Sequence, residues 1–256
     1  MARKKKRRKI GKALLQIFLW LALACVVVYY VVSYFIKPAD VFYPGFQIPI
    51  PQGYIIHGID VSRYQETINW KSVKEMEEKD IRIGFVFIKA TEGVSNIDPQ
   101  FRRNWLKAEE EDIPKGAYHF FIASKSGKRQ AANFIQMVDL KRGDLPPVLD
   151  IEKTYGVRIN VIKKELGDWL DAVEKNYGVL PIIYTNIDFY TNYLEKDFSE
   201  YPVWIAHYLQ PQKPRLERKW MFWQHSEAGR VNGISSPVDF NVFSGDSTEF
   251  NNFRMR

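Results

Sequence analysis

The sequence holds one cysteine in 256 residues, Cys25, so no intrachain disulfide can form. Its four histidines, His57, His119, His207 and His225, lack metalloprotease spacing such as His-Glu-x-x-His. No metal is expected. The first twelve positions contain no acid, and Ala13 to Ile36 contain no charge of either sign. No internal repeat or low-complexity tract follows the basic head. A formal net charge of +7 would suit a nucleic-acid binder, but the charge is local. Arg3, Lys4, Lys5, Lys6, Arg7, Arg8, Lys9 and Lys12 supply eight of the 37 Lys and Arg; the remainder sets 29 basic residues against 30 acidic ones. The body of the chain lacks the excess that phosphate binding needs, so nucleic acid is not expected as a partner.

What is present begins with the uncharged run. As a helix, residues 13–36 would be roughly 36 Å long, enough to cross a hydrocarbon core of about 30 Å. Basic residues stay on the cytoplasmic side. The pattern predicts a basic cytoplasmic head (1–12) and one N-terminal transmembrane helix (13–36). The rest of the chain would be membrane-anchored, outside the cytoplasm, in a periplasmic or extracellular space. A cleaved signal peptide would have a shorter apolar region with a small-residue exit. A lipoprotein reading rests on Cys25 after Leu23-Ala24, but Ala22 stands where Leu is usual, and apolar sequence continues beyond the cysteine. Residues 37–53 carry Pro38, Pro44, Pro49 and Pro51 among aromatics and read as an extended stalk, or a strap laid along the domain. A globular domain, expected to be monomeric, follows over 54–256.

That domain starts with alternation. Short β-forming runs at Ile55–Val61, Phe85–Ala90, Gly116–Phe121, Pro147–Ile151 and Pro181–Thr185 are separated by helical patterns at Trp70–Lys79, Pro99–Glu111, Lys128–Val138 and Val161–Asn176. Such alternation implies a parallel sheet with right-handed crossovers. Three further strands are expected at Val203–Ala206, Trp220–Gln224 and Val238–Asn241, with gaps too short for full helices. The fold class is α/β, an irregular TIM-like barrel with helices mainly in its first part.

Active sites of such barrels lie at the C-terminal ends of the strands. Asp60 closes the first expected strand, Asp150 and Glu152 close the fourth, and Asp239 lies in the eighth. Strands one and eight are neighbours in a closed barrel, which would bring Asp60 to Asp239. Residues i and i+2 on a strand share a face, so Asp150 and Glu152 point the same way. Clustered carboxyls raise at least one pKa, leaving one group protonated while another stays ionised. Glycosidic cleavage uses such a pair. The plainer alternative for any one of these acids is a helix cap or an ion pair. Aromatics also mark strand ends, at Tyr118, Tyr184, Trp204, Tyr208 and Trp223. Their faces suit the apolar faces of sugar rings, although each taken alone could equally be core. His119 and His207 are expected to make structural hydrogen bonds.

Seven segments, in order, carry a resemblance. They are Gly58-Ile59-Asp60-Val61-Ser62 with Tyr64-Gln65, Phe87-Ile88-Lys89-Ala90-Thr91-Glu92-Gly93, Gly116-Ala117-Tyr118-His119-Phe120, Pro146-Pro147-Val148-Leu149-Asp150-Ile151-Glu152, Trp204-Ile205-Ala206-His207-Tyr208, Trp223-Gln224 and Val238-Asp239-Phe240-Asn241. Together they resemble glycoside hydrolase family 25, the Chalaropsis-type lysozymes (N-acetylmuramidases). The resemblance implies a (β/α)5(β)3 barrel. It also implies cleavage of the β-1,4 bond between N-acetylmuramic acid and N-acetylglucosamine in peptidoglycan glycan strands, without a cofactor. Glu152 matches the family's acid/base, and Asp60, Asp150 and Asp239 match acids of the same subsite.

The sequence departs from the family after Gln65, where Gly and an Ile-Asp-Trp run are usual and Glu66 and Ile68-Asn69-Trp70 stand. Altered loop geometry is expected there. Three roles are open to Asp150: nucleophile, activator of water, or orienting group for attack by the substrate's own N-acetyl group. Two other functions compete, a non-catalytic cell-wall-binding module on the same barrel and a chitinase-like hydrolase.

Overall fold

The structure, a computed structural model, describes residues 16–30 and 41–256. Residues 16–30 are helical, with their side chains exposed. Among the described residues no helix is long and apolar enough to cross a membrane. The expected span over 13–36 runs at both ends into residues outside those described, and the basic head lies wholly outside them.

Eight strands close a barrel. They are β1 (His57–Val61), β2 (Ile81–Glu92), β3 (Lys115–Phe120), β4 (Val148–Asp150), β5 (Ile182–Asn186), β6 (Val203–Ala206), β7 (Phe222–Gly229) and β8 (Val238–Phe243). Neighbours from β1 to β7 pair in parallel, and β8 closes the ring antiparallel to both β7 and β1. Helices α1 (Trp70–Glu75), α2 (Phe101–Glu110), α3 (Gly127–Met137) and α4 (Ile159–Tyr177) follow the first four strands. After β5 only short helical turns over Ile187–Leu194 occur, and a last helix, α5 (Ser247–Phe253), follows β8.

The sequence pattern explains the ring. Along each strand, alternate residues point inward and outward. Phe85, Phe87, Val148, Ile182, Trp204, Phe222 and Phe243 form one apolar cluster inside the barrel. Their chain neighbours Val86, Ile88, Leu149, Ile183, Ile205, Trp223 and Val242 belong to the other cluster, which lies between the strands and their covering layer. Gly58 and Gly116 take inward positions beside the largest rings. A Cβ at Gly58 would lie 2.5 Å from the Phe85 ring, and one at Gly116 would lie 2.6 Å from Phe87. Phenylalanine on β2 therefore needs glycine on both flanking strands.

Of the two readings of the segment before the barrel, stalk or strap, the described part fits the strap. Val41–Tyr43 and Ile48–Ile50 pair as an antiparallel hairpin. Tyr43, Phe46, Ile48 and Ile50 are buried in the outer cluster, and the Phe46 ring meets Phe240 at 5.1 Å. Arg230 N–H donates to the Phe46 carbonyl at 2.8 Å. Over 41–53 the chain is thus a strap fastened to the barrel and not a free stalk, because its alternate residues are apolar and have a face to bury. Hairpin and barrel form one compact unit.

The loop that departs from the family pattern keeps a compact turn. Ser62 and Gln65 make a reciprocal cap, and Glu66 adopts φ 51°, ψ −126°, a backbone that glycine enters freely and glutamate only with strain. Asn69 caps α1 by accepting from Ser72 N–H at 3.2 Å.

Candidate active site

The inward side chains stop being apolar at one end of the barrel. There a cavity of ≈ 320 Å³ opens, lined by Asp60, Asp150, Glu152 and Asp239 together with Tyr118, Tyr184, Trp204 and Tyr208. The alternation that buries Val148 inward also turns Asp150 and Glu152 inward. Asp239 arrives differently from the expectation that strand ends supply the mouth. It lies at the start of β8, and because β8 runs antiparallel, that start sits at the same mouth as the end of β1. Asp239 and Asp60 are direct register partners.

Two amide side chains organise the floor. Asp60 Oδ2 accepts from Gln224 Nε2 at 2.9 Å and from Asn241 Nδ2 at 2.7 Å. Gln224 Oε1 accepts from the Tyr184 hydroxyl at 2.8 Å and the Tyr208 hydroxyl at 2.6 Å. Asn241 Oδ1 accepts from Trp204 Nε1 at 2.7 Å, and Trp204 stacks on Phe87 at 4.5 Å. Gln224 and Asn241 were visible in the sequence as motif members but not as site residues. The available signal was their spacing: Gln224 has the inward parity of Phe222, and Asn241 that of Asp239.

Trp223 does not line the cavity. Its parity is outward; the ring is fully buried against Tyr54 and Trp220, and Nε1 donates to the His207 carbonyl at 2.8 Å. The sugar-facing role expected of Trp223 is therefore corrected to core. His119 and His207 serve as structural partners: His119 lies between Thr91 (2.7 Å) and Gln130 (3.3 Å), and His207 Nδ1 accepts from Arg215 N–H at 3.1 Å.

Burial sets the protonation of the acids. It pushes Asp60 up to about 6 against the opposing pull of its hydrogen-bond donors. Burial and the adjacent Asp60 carboxyl push Asp239 up to about 9. Asp150 is raised well above the usual carboxylate range by burial and then by Glu152, with Lys89 acting in the opposite direction. Its Oδ1 is buried and has no hydrogen-bond partner among the described residues. Glu152 is only half-buried, just beyond the end of β4, and its pKa is raised by burial and lowered by Lys153. Asn186 Nδ2 steadies its backbone by donating to the Glu152 carbonyl at 3.2 Å. Glu227, an exposed acid on β7, also reaches the rim. Among the described residues no group of three or more His, Cys, Asp or Glu is arranged to hold a metal ion.

The barrel is shared with proteins of solved structure. The family model of glycosyl hydrolases family 25 matches residues 59–234. The chain belongs to glycosyl hydrolases family 25. It is accordingly a glycoside hydrolase, and family 25 proteins of solved structure share its barrel. A family 25 glycosyl hydrolase from Bacillus anthracis superposes with a TM-score of 0.72 at 34% identity, covering 79% of this chain and 94% of that one. A bacterial lysozyme from Streptomyces coelicolor gives 0.70 at 32% identity, covering 78% and 96%. Lysozyme M1 of Streptomyces globisporus is 34% identical over 207 residues, 75% of this chain and 69% of that one. YegX of Escherichia coli (strain K12) is 47% identical over 209 residues, 82% and 77% of the two chains.

Proposed function

We propose that this family 25 enzyme hydrolyses the β-1,4 bond between N-acetylmuramic acid and N-acetylglucosamine in peptidoglycan, with Glu152 as the proton donor. The observation that carries the assignment is the contrast within one strand end. Asp150 is buried in the wall of the cleft, whereas Glu152 stands half-buried at the mouth with a raised pKa. A raised, accessible carboxyl can deliver a proton to a bound oxygen and reload from solvent. The family and the relatives named as lysozymes support the substrate.

In the proposed sequence, Glu152 protonates the glycosidic oxygen and the C1–O bond breaks. The acetamido oxygen of the muramoyl residue attacks C1, while Asp150 Oδ1 accepts from the acetamido N–H. Water then attacks C1, the bond from C1 to the acetamido oxygen breaks to restore the N-acetyl group, and Glu152 takes the proton that the water gives up. The unpartnered Oδ1 favours this role, because an incoming N–H would satisfy a buried acceptor. Tyr118, Tyr184, Trp204 and Tyr208 would present ring faces or hydroxyls to the sugar.

Glu152→Gln should reduce hydrolysis by about 10³-fold with folding intact, as expected for loss of a general acid. Near-normal clearing of cell walls by that variant would defeat the assignment. Mass spectrometry of digested peptidoglycan should show reducing muramic acid ends; reducing glucosamine ends or anhydro ends would mean another bond or another reaction.

The uncharged run behind a basic head supports a further part of the proposal, that the enzyme works while held at the outer face of the membrane. Cell fractionation should find it with the membranes, and an active, unanchored form in the medium would contradict this.

A further inference from the structure

A second cleft adjoins the catalytic one. Its volume is ≈ 390 Å³, and Lys89 lines both. One wall is the end of β2, which folds back through a tight turn so that Glu92 pairs with Asn96 and Thr91 with Ile97. Gly93 sits in that turn at φ 57°, and Asn133 on α3 holds it by donating to the carbonyls of Gly93 (3.0 Å) and Asn96 (3.2 Å). The other wall is Arg63, from the turn after β1.

The charges in this cleft are unequally committed. Lys89 Nζ pairs with Glu92 at 2.6 Å. Asp98 is buried and spends both oxygens on backbone N–H groups, those of Arg63 and Gln100, each at 2.9 Å. Arg63 is exposed and forms no salt bridge among the described residues. Its guanidinium lies 5.3 Å from the ring centroid of Tyr64, which itself lines the catalytic cleft. Ile97, half-exposed on the same wall, adds an apolar spot beside the Ser95 hydroxyl and the Asn96 amide. A cationic fork, two uncharged polar side chains and one apolar contact suit a short peptide with small side chains and free carboxylates.

Muramic acid carries such a peptide on its lactyl group, whereas glucosamine does not. We infer that the Arg63–Ile97 cleft is a subsite for the anionic stem peptide of the muramoyl residue, entered past Lys89 from the catalytic cleft. The inference rests on the peptidoglycan reading above. It makes the enzyme a reader of the wall's peptide as well as of its sugar. Arg63 acts as a specificity residue and takes no part in bond cleavage.

The test separates the two readings. The Glu152→Gln variant is titrated by calorimetry with a glucosaminyl–muramoyl disaccharide carrying a tripeptide, and with the same disaccharide lacking it. The peptide-bearing ligand should bind about tenfold more tightly, through a charge-assisted contact. Adding Arg63→Gln should remove most of that difference, and Arg63→Lys should restore part of it. In the enzyme with Glu152 intact, Arg63→Gln should lower the ratio of kcat/KM for peptide-bearing over peptide-free glycan, chiefly through KM. Equal binding of the two disaccharides would overturn the subsite, as would a preference indifferent to Arg63. If the wild type hydrolyses both glycans without preference, the subsite falls and the proposed function stands. If it hydrolyses neither, the function falls, while the binding titration still judges the cleft.

Discussion

Two pairs of carboxyls share one cleft, and the protein supplies them very differently. Asp60 and Asp239 face each other across two antiparallel strands and are fed by amides: Gln224 and Asn241 both donate to Asp60. Asp150 and Glu152 lie on one strand end and, among the described residues, receive no side-chain donor; one Asp150 oxygen has no hydrogen-bond partner there. The first pair is internally solved. Asp60 is the acceptor, and Asp239, pushed up to about 9, keeps the proton. The second pair is left incomplete by the fold, so a ligand has something to satisfy. Four acids of the same chemical type thus divide into a pair held by amide donors and a pair whose proposed role is to act on a ligand.

The comparison can be broken at several points. The largest effect should come from the incomplete pair: Asp150→Asn should lower kcat by about 10²-fold or more if Oδ1 steadies charge at the acetamido group, as measured by release of reducing ends. Retained kcat would move the chemistry to the other pair.

A smaller effect should appear in stability. Asp239 and Asp60 are raised from an ordinary value of 3.8. Between about pH 4 and pH 9 the folded protein therefore holds more protons than the unfolded chain. Their contribution is complete below the unfolded pKa and is lost as pH rises through about 6 and then about 9. Unfolding free energy should fall across that range by up to about 1.4 kcal/mol per pH unit for each retained proton. Urea unfolding at stepped pH would show it, and Asp239→Asn should flatten the upper part. A slope unchanged in that variant would mean that the pair does not hold the proton.

Gln224→Leu sharpens the same point. It removes a donor from Asp60 and the acceptor of two tyrosine hydroxyls, and should destabilise by about 1–3 kcal/mol. It should also move the acid limb of the pH–rate profile upward if Asp60 must be ionised. The smallest catalytic effect is expected at Trp223→Phe, which should leave kcat/KM with glycan within about twofold while lowering thermal stability, because the ring is core.

Much of the barrel was legible because β-strand alternation is written twice in the sequence. Phe85-Val86-Phe87-Ile88 and Val148-Leu149-Asp150-Ile151-Glu152 each feed both sides of the wall, and the change from Val148 to Asp150 on the inner side marks where the core ends and the cleft begins. The last third was harder to read. Nothing local in Val238–Phe243 announces that β8 runs antiparallel; that follows from the short link after β7, whose strands pair as a bulged hairpin. Trp223 and Gln224 show the limit of residue type as a guide. The aromatic ring suggested sugar and the amide suggested little, yet parity on β7 sends the ring into the packing and the amide to the floor of the site. The hairpin over 41–50 was obscured by its prolines: Pro49 faces solvent opposite Phe42, and only the alternating residues reveal a buried face.

The last helix gives the cleft a property that its lining alone does not. Because β8 runs back away from the mouth, the chain leaves the barrel at the far end, where α5 crosses and sets Phe250 against Phe85 (5.8 Å) and Phe243 (5.2 Å). The tube is corked. A polymer cannot be threaded through it; a strand must be laid across the opening, cut, and lifted off from the side it came from. A crosslinked mesh offers few loose ends, and an enzyme with a blind well needs none.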